Sequence, residues 1–209
     1  MQGPIAVPAD TIAQWSRDGG PVAAGGRRRT AIRFHWKYRD NDRAGGGRGT
    51  ARLAVPDSLR LDWAASLGLA AGAAVVIGDS LRWVDPKERF PASVTPAIQL
   101  MWTALGMVRP PRPGSELTGL RDSTHLMWRA AADSDTLEYR VTRGSTPMLE
   151  AEWRRGGSVM ARSRTLLGAS GMPASARIDV PKGHARFELT FVGVDSGAVF
   201  PATLWRSRR

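Results

Sequence analysis

Through most of the chain, apolar and polar positions alternate one by one. Along Thr30 to Asn41, Ile32, Phe34, Trp36 and Tyr38 alternate with Arg33, His35, Lys37 and Arg39. A period of two puts one set on each face of a strand, so this stretch predicts a half-buried strand with an aromatic inner face. The glycines at 45, 46, 47 and 49 predict the turn that follows, with a second strand running to Val55. After Pro56-Asp57, Leu59, Leu61 and Trp63 alternate with Arg60 and Asp62. The apolar run Ala73 to Ile77, the pair Gly78-Asp79 and the return Leu81 to Val84 predict a hairpin. Further strands are predicted around Leu126–Ala130, Thr136–Val141, Met148–Arg154, Ser158–Leu167, Ala174–Val180 and Ala185–Val194. Their turns fall at Asp133-Ser134-Asp135, Gly156-Gly157, Gly168–Gly171 and Lys182-Gly183. Pro201 to Trp205 is expected to close the sheet edge.

Two stretches break this rhythm. Pro8-Ala9-Asp10-Thr11 before Ile12, Ala13 and Trp15 predicts a short, capped amphipathic helix. Gly19 to Gly26 then reads as a linker. From about Pro96 to Val108, Ile98, Leu100, Met101, Trp102, Leu105 and Met107 leave only Gln99 and Thr103 polar, which predicts a helix covered on most sides. Pro110, Pro111 and Pro113 end it. The predicted fold is therefore mainly β. It is a single antiparallel sheet of about 10–11 strands, a curved sheet or open barrel with the apolar helix set against one face. The domain reading is an N-terminal segment 1–28 and a β-domain 29–209, with the apolar helix near 96–108.

Composition adds an unusual interior: eight Trp in 209 residues is more than a domain of this size needs unless a large apolar surface wants filling. The net charge of +11 comes almost wholly from Arg, with Lys only at 37, 87 and 182. Such a charge raises the alternative of a basic nucleic-acid-binding protein or attraction to an anionic membrane surface. The arginines are spread through strands and turns, however, clustering only at Arg27-Arg28-Arg29 and Arg206/Arg208/Arg209, so no specific nucleic-acid partner is expected. With no Cys, thiolate metal sites and Cys nucleophiles are excluded. No apolar run reaches the length of a membrane-spanning helix.

Candidate chemistry is sparse. Gly78-Asp79-Ser80-Leu81 after an apolar strand looks like the nucleophile block of GDSL-type hydrolases, and Asp122-Ser123-Thr124-His125 supplies their Asp-x-x-His spacing. That family uses a downstream Asn as an oxyanion donor, whereas Asn41 precedes Ser80. Its α/β alternation is also missing. A serine hydrolase using Ser80 remains the disfavoured alternative, and no catalytic residue is assigned. His35, His125 and His184 are isolated, so neither metal nor cofactor is expected.

A family resemblance rests on short motifs. Ser58-Leu59-Arg60-Leu61-Asp62-Trp63, then Ser66-Leu67-Gly68, then a hairpin to Trp83-Val84-Asp85, is similar to the LolA/LolB-like lipoprotein-localisation family, its LolB-like outer-membrane receptor branch in particular. Met101-Trp102-Thr103-Ala104-Leu105-Gly106-Met107 resembles that family's lid helix. Met172-Pro173, Arg186-Phe187-Glu188-Leu189 and Leu204-Trp205 resemble its tail. The resemblance implies a strongly curved, unclosed half-barrel over 29–209 with one or more helices over its concave face, the lid helix near 96–108 among them, that binds, and transfers, lipid or lipoprotein acyl chains in a hydrophobic cavity without being an enzyme. The expected lining is Phe34, Trp36, Leu59, Leu61, Trp63, Trp83, Trp128 and Tyr139, under lid residues Ile98, Met101, Trp102 and Leu105. Leu67 matches the receptor's protruding leucine, or is an ordinary core leucine. A periplasmic carrier protein is an expected partner of a monomer, in the periplasm or on the periplasmic face of the outer membrane. Receptor members carry a signal peptide and lipidated Cys, neither of which is in this sequence. A leader upstream of Met1 is the favoured explanation, leaving peripheral or lipid-anchored attachment open.

Overall fold

The computed structural model describes residues 4–18, 29–66, 70–78, 80–86 and 95–206. Strands β1 (Ile5–Ala6), β2 (Arg29–Arg39), β3 (Ala44–Ala54), β4 (Ser58–Ala65), β5 (Ala71–Ile77) and β6 (Ser80–Asp85) form the first half, with helix α1 (Ala9–Arg17) after β1. Two short helices, α2 (Thr95–Ile98) and α3 (Met101–Ala104), lead into β7 (Glu116–Arg121) and β8 (His125–Ala132). The meander ends with β9 (Asp135–Thr142), β10 (Met148–Arg155), β11 (Ser158–Leu167), β12 (Pro173–Val180) and β13 (Ala185–Asp195).

All thirteen strands form one antiparallel sheet in the order β1-β7-β8-β9-β10-β11-β12-β13-β2-β3-β4-β5-β6. The sheet is not closed: β1 and β6 are its two ends. The mainly β, unclosed reading is borne out, with more strands than the 10–11 expected. The added strands are the two-residue β1 and β7, whose alternation is broken by Gly119 and by too few apolar residues to register as a strand. Gly119 is also where α1 approaches the sheet: a Cβ there would stand 2.9 Å from Cδ1 of Ile12.

Each strand sorts its side chains by the period of two. In β9, Leu137, Tyr139 and Val141 are buried while Glu138 and Arg140 are exposed, and in β11 Ala161, Ser163, Thr165 and Leu167 are buried between Arg162 and Arg164. The outward set pairs across strands. Arg162 reaches Glu152 at 2.5 Å, and Arg164 reaches Glu150 at 2.9 Å. Asp179 joins Arg177 and Arg186 at 2.6 and 2.9 Å. Much of the arginine on this face is thus absorbed in cross-strand ladders.

Three local expectations are corrected. The 96–108 helix is two four-residue helices separated by the turn at Gln99-Leu100, and the segment ends in Gly106 at φ 77°. Its apolar residues are contacted from all around, so tertiary packing rather than a continuous hydrogen-bonded helix orders them. Helix α1 starts at Pro8 with no side-chain cap; the Thr11 and Ile12 amides donate to the Pro8 carbonyl instead. Ala202–Trp205 is a 3-10 turn lying on β4, where the Leu204 carbonyl accepts from Arg60 at 2.8 Å, rather than a strand on the sheet edge. The Gly19–Gly26 linker lies outside the described residues.

Candidate functional site: a hollow over a glycine strand

The concave face is divided. Its β8–β12 half is filled. α2 and α3 dock on β11 and β12, and Ala97, Leu100, Trp102, Thr103, Ala104, Leu105 and Met107 are buried there. The Thr165 hydroxyl donates to the Thr103 carbonyl at 2.7 Å, tying α3 to β11. At the far end, Trp128 stacks on Tyr139 with centroids 5.0 Å apart, and Trp15 of α1 meets Trp128 edge-on at 6.0 Å. Burial holds the Tyr139 phenol above its ordinary pKa, and its oxygen accepts from the Arg109 amide at 3.2 Å.

The other half, over β2–β5 and β13, is hollow. A solvent-open cavity of 280 Å³ is lined by Phe34, Trp36 and Tyr38 of β2, Leu61 and Trp63 of β4, and Ala74 and Val76 of β5. Phe187 and Leu189 of β13 complete its wall, and Ile98 and Met101 face it from α2 and α3. The volume lies just under the span of small-molecule sites, roughly 300–1,000 Å³. That α2 and α3 touch β11 and β12 while facing β2, β4 and β5 requires the sheet to wrap round them.

The shape of this hollow comes from β3. Gly45, Gly46, Gly47 and Gly49, expected to form a turn, are paired strand residues opposite Tyr38, Lys37, Trp36 and Phe34. The turn is instead Asn41–Arg43, where the Asp42 and Arg43 amides donate to Oδ1 of Asp40 at 2.9 and 2.7 Å. This exchange lets rings lie down on the backbone. A Cβ at Gly49 would stand 2.5 Å from Cζ of Phe34, and one at Gly72 of β5 2.4 Å from Cζ2 of Trp63. Trp36 spans β3 lengthwise: its indole N–H donates to the Arg48 carbonyl at 3.2 Å while its far edge lies 3.8 Å from the Cβ position of Gly45.

The mouth is polar. Arg43 is the charged residue among the described residues that line the hollow. Tyr38 donates its hydroxyl to Asp40, and that bond, with the amides of Asp42 and Arg43, holds the Asp40 carboxyl below the usual range. A second depression of 290 Å³ shares Tyr38, Ala44 and Gly45 and adds Lys37, Arg39, Arg186 and Glu188.

No protein-family model matches the chain, and neither does any curated protein. Solved structures do. A LolA superfamily protein from Nitrosomonas europaea is similar at a TM-score of 0.55 and 13% identity, over 96% of this chain and 98% of that one. This chain has a LolA-like fold. A DUF1329 family protein from Desulfovibrio piger ATCC 29098 is similar at a TM-score of 0.42 and 7% identity, over 95% and 97% of the two chains. The resemblance carried by Ser58–Trp63, the 101–107 segment and the tail is borne out at the level of the fold.

Within the LolA-like fold, Phe34, Trp36, Leu61, Trp63, Ile98 and Met101 come together on the hollow. Leu59, Trp102 and Leu105 are buried away from it, at 0, 1 and 0% exposure. Trp128 and Tyr139 belong to the filled half and border only a 20 Å³ space. Trp83 is on the opposite face. A bulge between its partners Val75 and Val76 leaves Arg82 unpaired, so Leu81 and Trp83 do not share a side as simple alternation expects. The Arg60 guanidinium lies 5.2 Å from the Trp83 ring centre. Leu67 lies outside the described residues. Sequence reasoning left out Tyr38, Phe187 and Leu189 as lining, although each continues an alternation already visible in β2 and β13.

The hydrolase residues are dispersed. Ser80 opens β6 at one end of the sheet, while Asp122 follows β7 and His125 opens β8 near the other. Asp122 accepts from the amides of Thr124 and His125, both at 2.7 Å, and so closes a turn. Those two hydrogen bonds hold its carboxyl below the usual range. Among the described residues no three His, Asp or Glu side chains group as a metal site.

Proposed function

We propose that this protein binds lipid or acyl chains without catalysis, in the hollow between β2–β5, β13 and the α2–α3 segment. The observation that carries the reading is an apolar, solvent-open cavity of 280 Å³ in a fold whose other half is solidly packed. An interior able to bury its apolar groups against one another leaves such a space open only at a cost, because voids forfeit dispersion contacts. A ligand recovers that loss. Each methylene it withdraws from water contributes about 0.8 kcal/mol, less the ordering of the chain. Arg43 at the mouth suits a ligand with a polar or anionic end.

The setting proposed is the cell envelope, in the periplasm or at the periplasmic face of the outer membrane, with a lipoprotein or a periplasmic carrier as partner. The LolA-like fold supports this setting. The dispersal of Ser80, Asp122 and His125 over the sheet favours binding over ester hydrolysis.

Mass spectrometry of the natively extracted protein should find co-purified lipid, and the delipidated protein should take up 1-anilinonaphthalene-8-sulfonate. Met101→Asp, which places a carboxylate in the hollow, should lower dye uptake at least tenfold while near-UV circular dichroism keeps its native form. Absence of both lipid and dye uptake would sink the proposal.

A further inference from the structure

The rings around the hollow are arranged more specifically than apolar filling requires. On β2, β3, β4 and β5, Phe34, Gly49, Trp63 and Gly72 stand directly opposite one another in sequence. Aromatic and glycine alternate along this row, and each ring leans over a glycine at a spacing that excludes a Cβ. Two residues further along β2, Trp36 lies along β3 with its N–H satisfied by the Arg48 carbonyl. Tyr38 and Phe187 extend the same surface, with ring centres 4.7 Å apart. A ring that leans over the neighbouring strand offers more of its π face to the space above than one standing upright. Ile98 and Met101 face that surface from the α2–α3 side. The result is a slot with aromatic residues on one side and flexible apolar groups on the other.

A slot of this form distinguishes ligands by shape and electronic structure. A saturated chain gains from its area alone and leaves the ring faces without a matching partner. A flat π system gains the same area and, in addition, offset stacking. We infer that the hollow prefers a planar, conjugated apolar ligand, such as a polyene or ring-bearing lipid, over a saturated acyl chain of equal length. This rests on the proposed lipid-binding role and narrows its substrate class. The glycines are the specificity-determining positions, because a side chain on any of them would lift a ring off the sheet.

The test compares two probes alike in carbon number and carboxylate head: all-trans-parinaric acid, a conjugated tetraene, and stearic acid. Parinaric acid is followed by its fluorescence on binding the delipidated full chain, and stearic acid by displacement. The expected result is parinaric acid binding about tenfold tighter, the effect of two stacking contacts. Trp63→Leu and Trp36→Leu should each bring the ratio of the two affinities towards one. Because only the ratio is read, a general loss of affinity does not imitate the effect. Should one variant fail to fold, the other carries the comparison. Equal or tighter binding of stearic acid, or a ratio unchanged in the folded variants, overturns the inference and leaves lipid binding standing. No binding of either probe removes the proposed function as well.

Discussion

At Gly49 the space for a Cβ is already taken by Cζ of Phe34 at 2.5 Å, and at Gly72 by Cζ2 of Trp63 at 2.4 Å. Glycine in the middle of a strand weakens it, since it packs nothing and loses more backbone freedom on folding. Its presence at both places is repaid by the rings that lie over it. Gly49→Val should therefore cost about 1–3 kcal/mol by overpacking, read from the shift of the urea unfolding midpoint. The favourable strand propensity of Val would by itself predict the opposite sign. A stability equal to or above the parent would show that Phe34 can move aside freely.

Among the elements, α2 and α3 combine two jobs on one segment. Ile98 and Met101 face the hollow, whereas Trp102 and Leu105 are packed against the filled half. The consequence is a division of mutational effects within a few residues. Leu105→Ala should destabilise by about 2–5 kcal/mol, the range for truncating a fully buried leucine, and leave the ligand preference of the folded fraction intact. Ile98→Ala borders a space that is already open, so it should cost less stability and alter dye affinity more. Paired denaturation and titration of the two variants check this. The same change on both sides would mean that the segment is a single packing unit. The period of 3.6 in its sequence made the segment visible as helical and greasy. Its two halves could not be told apart, because apolar residues on every side give no preferred face.

Over the whole molecule, the ion pairs along the sheet set how stability depends on pH. At Asp135 the hydrogen bond from Arg155, aided by the charges of Arg155 and Arg112, holds the carboxyl below its ordinary 3.8. Burial pushes Glu152 and Asp179 up, but hydrogen bonds from Arg162 and Arg154, and from Arg177 and Arg186, outweigh it and bring both down. A carboxylate depressed on folding contributes stability that is complete above its unfolded pKa and lost as pH falls through the folded one. Stability should be flat from neutrality to about pH 5 and decline below about pH 4. Urea midpoints across that interval measure it. Asp135→Asn should lower stability at pH 7 by about 1 kcal/mol and flatten the acid limb, as the ion pairs with Arg155 and Arg112 are removed. An acid limb unchanged by the substitution would assign the decline to other carboxylates.

Alternation along β2, β4 and β8–β13 was enough to read a large antiparallel sheet, because a strand half buried on a curved sheet must sort its residues by a period of two. The ring-bearing positions 34, 36 and 63 were legible for the same reason. Three matters were settled only by tertiary structure. Gly45–Gly49 carries every local mark of a turn, and its pairing along β2 goes with the Trp36 and Phe34 rings of that strand, which lie over Gly45 and Gly49. Trp83 changes faces through a one-residue bulge, a long-range register event that leaves no trace in its neighbours. Finally, burial alone does not distinguish a core from a cavity wall. Leu59 and Leu61 look alike in sequence, and only the position of α2 and α3 across the sheet decides which of them faces open space.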